Sequence, residues 1–107
     1  MEYNWSKKEK KIARQAFDRA YEREMRHLAE KVRKMLDDNE DARAVWRILD
    51  MLREEARETD FKYDYRYSVL ILIFARLLRE GWLMLEDLEG ISEEKIEKIR
   101  EVANIKF

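Results

Sequence analysis

Cysteine and proline are missing from this 107-residue chain, and it has only two glycines and one histidine. Without cysteine there is no disulfide framework and no thiolate chemistry, which suits a cytoplasmic setting. With two glycines and no Asn-Gly turn, little is present to build hairpins from. The lone His27, set among Glu24, Glu30 and Lys31, reads as a solvated surface residue. With no histidine pair and no glycine-rich phosphate loop, neither a metal, a cofactor nor an enzymatic role is expected. Asp37-Asp38-Asn39-Glu40-Asp41 resembles a calcium loop only superficially. Ala42 stands where the loop needs glycine and Ile48 where it needs a bidentate glutamate, so the cluster reads as a helix boundary. The stretch Met1-Glu2-Tyr3-Asn4-Trp5-Ser6-Lys7-Lys8 has no apolar core of a signal peptide. A net charge of −1 gives no general attraction to nucleic acid or to an anionic membrane.

What the chain has is charge, at 44% of residues, and one apolar run that interrupts it: Val69-Leu70-Ile71-Leu72-Ile73-Phe74-Ala75. From Val69 to Leu78 there are 10 residues, broken by Arg76, against the roughly 17 or more needed to span a bilayer, so no membrane insertion is expected. With no second strand-like run to pair with, the segment is expected to be a central helix, hidden on nearly every side. Gly81 would end it in the left-handed conformation, with Arg79 near its C-terminal dipole. Charge is also unevenly placed. Residues 1–36 carry 11 basic and 6 acidic groups, residues 37–60 carry 4 and 9, and residues 61–107 carry 8 and 9. The first two segments are therefore expected side by side, within one chain or between two.

The first helix begins at Ser6-Lys7-Lys8-Glu9, a capping box. Ala13, Phe17, Tyr21, Met25, Leu28, Val32 and Met35 then recur at steps of three and four, describing a seam against another helix. Ala42, Val45, Leu49, Leu52 and Ala56 repeat the pattern in a second helix. A helix from Ser6 to Leu36 is about 45 Å long, more than the second can cover, and a homodimer is the economical way to bury the rest. The fold expected is all-α: an extended helical arm and dimerisation region over residues 1–61, and a helical head over 62–107. In the head, Ser92 caps a last helix whose inner face is Ile96, Ile99 and Val102, with Ile71, Phe74 and Leu78 completing the core and Ile105 and Phe107 pinning the C-terminus.

The chain resembles the fluorescence recovery protein family of cyanobacteria and its relatives. The resemblance runs from Trp5-Ser6 through Phe17, Ala20-Tyr21 and Arg23-Glu24, then Trp46, Leu52 and Asp60. It is densest over Lys62-Tyr63-Asp64, Arg66, Ser68-Val69, Phe74-Ala75, Leu77-Leu78 and Glu80-Gly81. It implies a dimeric, all-helical regulator without enzymatic chemistry. Such a regulator binds the C-terminal domain of the photoactivated orange carotenoid protein, detaches it from the phycobilisome and speeds its red-to-orange relaxation, ending non-photochemical quenching. The family's patch on the second helix is matched by Trp46 and Asp50, and a lysine of the head by Lys98. Leu49 and Ala56 depart from the patch, and Leu72 replaces a phenylalanine implicated in partner contact. The same fold serving a different client is the alternative.

Four groups of residues remain. Trp46, Asp50, Arg53 and Arg57 are spaced to share one helix face, where an arginine can pair with Asp50 or stack on the indole. A solvated ion pair beside an interface tryptophan is the plainer reading. Leu85-Glu86-Asp87-Leu88-Glu89-Gly90-Ile91-Ser92 resembles a helix-hairpin-helix, but its carboxylates would repel a phosphate, so no nucleic acid is expected. Lys7-Lys8-Glu9-Lys10-Lys11 is either a solvated helix start or a docking strip for an acidic partner. Tyr63, Tyr65 and Tyr67 are expected as packing and hydrogen-bonding anchors.

Overall fold

A computed structural model describes residues 3–38 and 41–105. All regular structure among them is helical: α1 (Lys7–Asp38), α2 (Ala44–Lys62), α3 (Leu70–Glu80) and α4 (Glu93–Ala103), with 3-10 turns at Tyr67–Val69 and Leu85–Leu88. The molecule is elongated, 52 × 25 × 21 Å, because α1 alone, at 32 residues, is about 48 Å long. The capping box forms as expected: Ser6 Oγ accepts the Glu9 N–H at 3.1 Å and Glu9 Oε1 accepts the Ser6 N–H at 3.0 Å. Asp41 organises the entry to α2, its Oδ1 accepting the Arg43 N–H at 2.9 Å; Asn39 and Glu40 of the expected boundary cluster lie outside the described residues.

The core draws on both sides of the expected 61/62 boundary. Trp5, Ala13, Ala16, Phe17 and Ala20 pack with Leu70, Phe74, Leu77, Leu88 and Ile99. Alanines at 13, 16 and 20 share one face of α1 and leave room for the head to approach closely. The first half of α1 is therefore covered by its own chain. Its second half runs antiparallel to α2, with Met25, Leu28, Val32 and Met35 half-buried. The head thus buries part of the α1 seam that was expected to be covered by a second copy of the chain.

Helix α2 turns a different stripe inward than expected. Ala44, Ile48 and Lys62 are buried and Met51, Glu55 and Thr59 half-buried, whereas Ala42, Val45 and Ala56 of the expected seam are exposed. At 100° per residue the two stripes lie about a quarter-turn apart. Helix α3 is also more one-sided than its apolar run suggests. Leu70, Phe74, Ala75 and Leu77 are buried, but Leu72 is 58% exposed. An 11-residue helix packed on α4 and α1 from one side carries one leucine of such a run to the outside.

Gly81 adopts φ +87°, and the Gly81, Trp82 and Leu83 N–H groups return to the Leu78 and Leu77 carbonyls, closing α3. The Arg79 side chain reaches the end of α4, donating to Ala103 O at 3.2 Å and Val102 O at 3.4 Å. Ser92 Oγ caps α4 by accepting the Lys95 N–H, and Ile99 is fully buried on its inner face. Ile105 is 46% exposed and does not pin the terminus; Phe107 lies outside the described residues.

Candidate partner-binding surfaces

Three ion clusters hold α1 to the head. Lys62 Nζ, at the buried end of α2, lies 2.7 Å from both Glu24 and Glu80 carboxylates, and Tyr63 Oη donates to Glu24 at 2.7 Å. Burial works against the charge on Glu80, but Lys62 and Arg76 outweigh it and hold its carboxyl below the usual range. Burial and the Glu24 carboxylate both push the Tyr63 hydroxyl well above its ordinary value. Arg23 grips Asp87 and the Trp82 carbonyl. Glu9 is buried against Lys95 and the start of α4. The signature around Lys62-Tyr63 and Glu80-Gly81 is thus the joint between arm and head. Composition and periodicity gave no signal for the long-range pairs of Glu9, Arg23 and Glu24, which join residues 38 to 86 positions apart.

The three tyrosines are anchors, as expected. Rings run in contact from Trp5 through Tyr67, Tyr65, Phe17 and Tyr63 to Tyr21, at centroid separations of 4.9 to 6.4 Å. Tyr63 bonds Glu24 and Tyr65 reaches the Lys10 carbonyl. His27 is exposed, its ring 5.3 Å from that of Trp82.

Two surfaces are left open. The first is the outer face of α2. Trp46, Asp50, Arg53 and Arg57 do share a face, turned away from α1, and Trp46 is 66% exposed. Arg53 lies 3.8 Å from Asp50, whereas Arg57 lies nearest Glu54, at 3.9 Å. Among the described residues no guanidinium stacks on the Trp46 indole. The plain surface ion pair is what the protomer contains. Beside this face stand Val45, exposed, and Leu49, half-buried, with Phe61 81% exposed at the end of the helix.

The second surface is a groove of about 410 Å³ in the head, lined by Tyr3, Tyr67, Ser68, Val69, Ile71, Leu72, Lys98 and Val102. It brings Leu72 of α3 and Lys98 of α4 together. Lys98 is partly exposed and lies 3.7 Å from Glu101. None of the α2 patch residues lines this groove, so the five expected site residues fall on two separate surfaces.

The helix-hairpin-helix likeness ends at the start of α4, where the Ser92 N–H that a phosphate would need donates to Glu9 at 2.9 Å. Asp87 points inward to Arg23 instead of crowding that end. No helix of the described residues is long and apolar enough to cross a membrane.

This geometry can be set beside known proteins. A model of the photoprotection regulator fluorescence recovery protein family matches residues 5–103. The chain belongs to the fluorescence recovery protein family. It is 35% identical over 101 residues to the fluorescence recovery protein of Synechocystis sp. PCC 6803, covering 94% of this chain and 93% of the relative. Among solved structures it is similar to the Fremyella diplosiphon fluorescence recovery protein, at 38% identity and a TM-score of 0.87, with 95% of this chain and 100% of that one covered. The Synechocystis structure matches at 34% identity with the same TM-score and coverage. The family is one of photoprotection regulators, and the arm-and-head architecture is the one its solved members share.

Proposed function

We propose that this chain, as a homodimer, binds the C-terminal domain of photoactivated orange carotenoid protein. It thereby accelerates the red-to-orange relaxation and detachment from the phycobilisome, acting in the cytoplasm. The observation that carries this is the head groove, where exposed Leu72 and partly exposed Lys98, both at positions that the family resemblance carries over as functional, line the same cleft. The dimer is supported by the outer face of α2: an exposed tryptophan, valine and phenylalanine on one helix are an apolar surface that a second copy would cover. The mechanism is differential binding. A regulator shifts a two-state photoreceptor only as far as its affinities for the two states differ, so it must bind the compact form more tightly than the open one.

The test is to photoconvert an orange carotenoid protein, add this chain in excess and follow absorbance recovery in the dark. Recovery faster than the spontaneous rate is expected, yet slower than a typical member gives, because Leu49, Ala56 and Leu72 depart from the family's pattern. A spontaneous rate with no co-elution would favour the second reading, in which those departures mark the same fold serving a different client.

A further inference from the structure

Among the described residues, no carboxylate forms an ion pair with Lys7, Lys8, Lys10 or Lys11 at the start of α1. Glu9, the single acid of Lys7-Lys8-Glu9-Lys10-Lys11, is turned inward and 7% exposed. Lys95 Nζ lies 3.0 and 3.2 Å from its two oxygens, and the Ser92 N–H is 2.9 Å from Oε2. Helical spacing places Lys7, Lys10, Lys11 and Arg14 together on the opposite, exposed face. Of these four, Arg14 meets a carboxylate, Asp18 at 3.3 Å. Lys10 Nζ sits 5.0 Å from the centre of the Tyr67 ring and the Arg14 guanidinium 4.8 Å from that of Tyr65. Tyr67 is at the same time a wall of the head groove. The groove therefore has Lys10 at its α1 edge, with Lys7, Lys11 and Arg14 on the helix face beyond it, and an apolar floor. On the α4 side Glu101 pairs with Lys98, and Glu94, one turn from Lys98, is exposed.

We infer that the head groove receives an acidic segment of the client protein. Its carboxylates lie along Lys7, Lys10, Lys11 and Arg14, and one apolar side chain enters between Tyr67 and Leu72. The inference rests on the groove being the client-docking surface, and adds the chemistry of what docks. Cations resting on tyrosine faces are partly pre-organised, so closing on a carboxylate costs them less side-chain freedom. A uniformly charged polyanion fits less well, because Glu94 and Glu101 face it across the groove. A segment whose acids are confined to one side avoids them.

The probe is a short fluorescein-labelled peptide of Asp and Glu with one central Leu, followed by fluorescence anisotropy. Wild-type protein is expected to bind it, with affinity falling about tenfold as salt rises from roughly 0.05 to 0.3 M. Lys10→Glu/Lys11→Glu, two exposed positions whose change leaves helical circular dichroism intact, is expected to lose binding. Replacing the central Leu of the peptide by Gly is expected to weaken it. No peptide binding, equal binding by the variant or by the Gly peptide, or an oligothymidylate binding as tightly as the peptide would each overturn the inference. Carotenoid-protein recovery separates the two proposals. Acceleration that the double variant retains in full defeats the acidic-segment docking and leaves the client reading standing. Peptide binding that shows all the expected dependences, with no acceleration by the wild type, does the reverse.

Discussion

Arg23 in the middle of α1 and Asp87 in the second 3-10 turn form a two-point ion pair, at 2.5 and 3.0 Å, that fastens the long helix to the far side of the head. Asp87 is also held by the Met84 N–H at 2.9 Å. The Arg23 hydrogen bonds, ahead of the opposing effect of burial, keep its carboxyl below the usual range. Because the Asp87 side chain is only 7% exposed, removing Arg23 leaves a nearly buried charge answered only by Arg19, at 3.8 Å. Arg23→Met is expected to cost about 3 kcal/mol in urea unfolding. Removing both charges in Arg23→Met/Asp87→Leu should recover most of the loss. A single-variant loss within experimental scatter would show that water replaces the guanidinium without penalty.

Acid should loosen the joint between arm and head. Burial raises the Glu9 carboxyl, but hydrogen bonds from the Ser6 and Ser92 N–H groups and from Lys95 more than offset it and hold it at about 2, against an ordinary 4.5. A folded-state value below the unfolded one means stability that is fully present above pH 4.5 and lost as pH falls toward 2. Asp87 and Glu80 are lowered too, so they add to the same slope. Urea midpoints at pH 6, 4.5 and 3 should fall steeply between the last two, and Glu9→Gln should flatten that fall. Parallel curves for the two proteins would remove Glu9 from the account.

Trp46→Ala separates assembly from folding. In the protomer the indole is 66% exposed and faces away from α1, so its loss should barely change the melting of an isolated subunit. If a second copy covers it, truncation is expected to weaken the dimer by about 3 kcal/mol, read as a raised dissociation constant in sedimentation. An unchanged constant would move the interface off this face.

The two glycines should differ in what they tolerate. Both have positive φ, but a Cβ at Gly81 meets nothing within 4 Å, whereas one at Gly90 would lie 2.6 Å from Ile12 Cδ1. Gly81→Ala is expected to cost about 1 kcal/mol from backbone strain alone. Gly90→Ala should cost more, since the Ile12 side chain must also shift. Thermal melts of the two variants would settle the order.

Sequence alone determined the elements. The Ser6–Glu9 capping box, the uninterrupted three-and-four periodicity of α1, Ser92 as cap and Gly81 as stop all rest on local rules of backbone hydrogen bonding and helical spacing, which act within a few residues. The resemblance through Lys62-Tyr63-Asp64 and Glu80-Gly81 identified the family, because those residues stand close together along the chain. Which face each helix buries was decided by the tertiary structure. On α2 the stripe through Val45, Leu49 and Leu52 was the more apolar along the chain, yet docking on α1 chose the one through Ala44, Ile48 and Met51, leaving Val45 and Trp46 outside. The head's closure over Ala13, Ala16 and Ala20 likewise settled what covers α1, a matter of approach distance that periodicity does not encode. The ion clusters of Glu9, Arg23 and Lys62 and the meeting of Leu72 with Lys98 join residues far apart in sequence, and only the folded chain brings their charges and surfaces within reach.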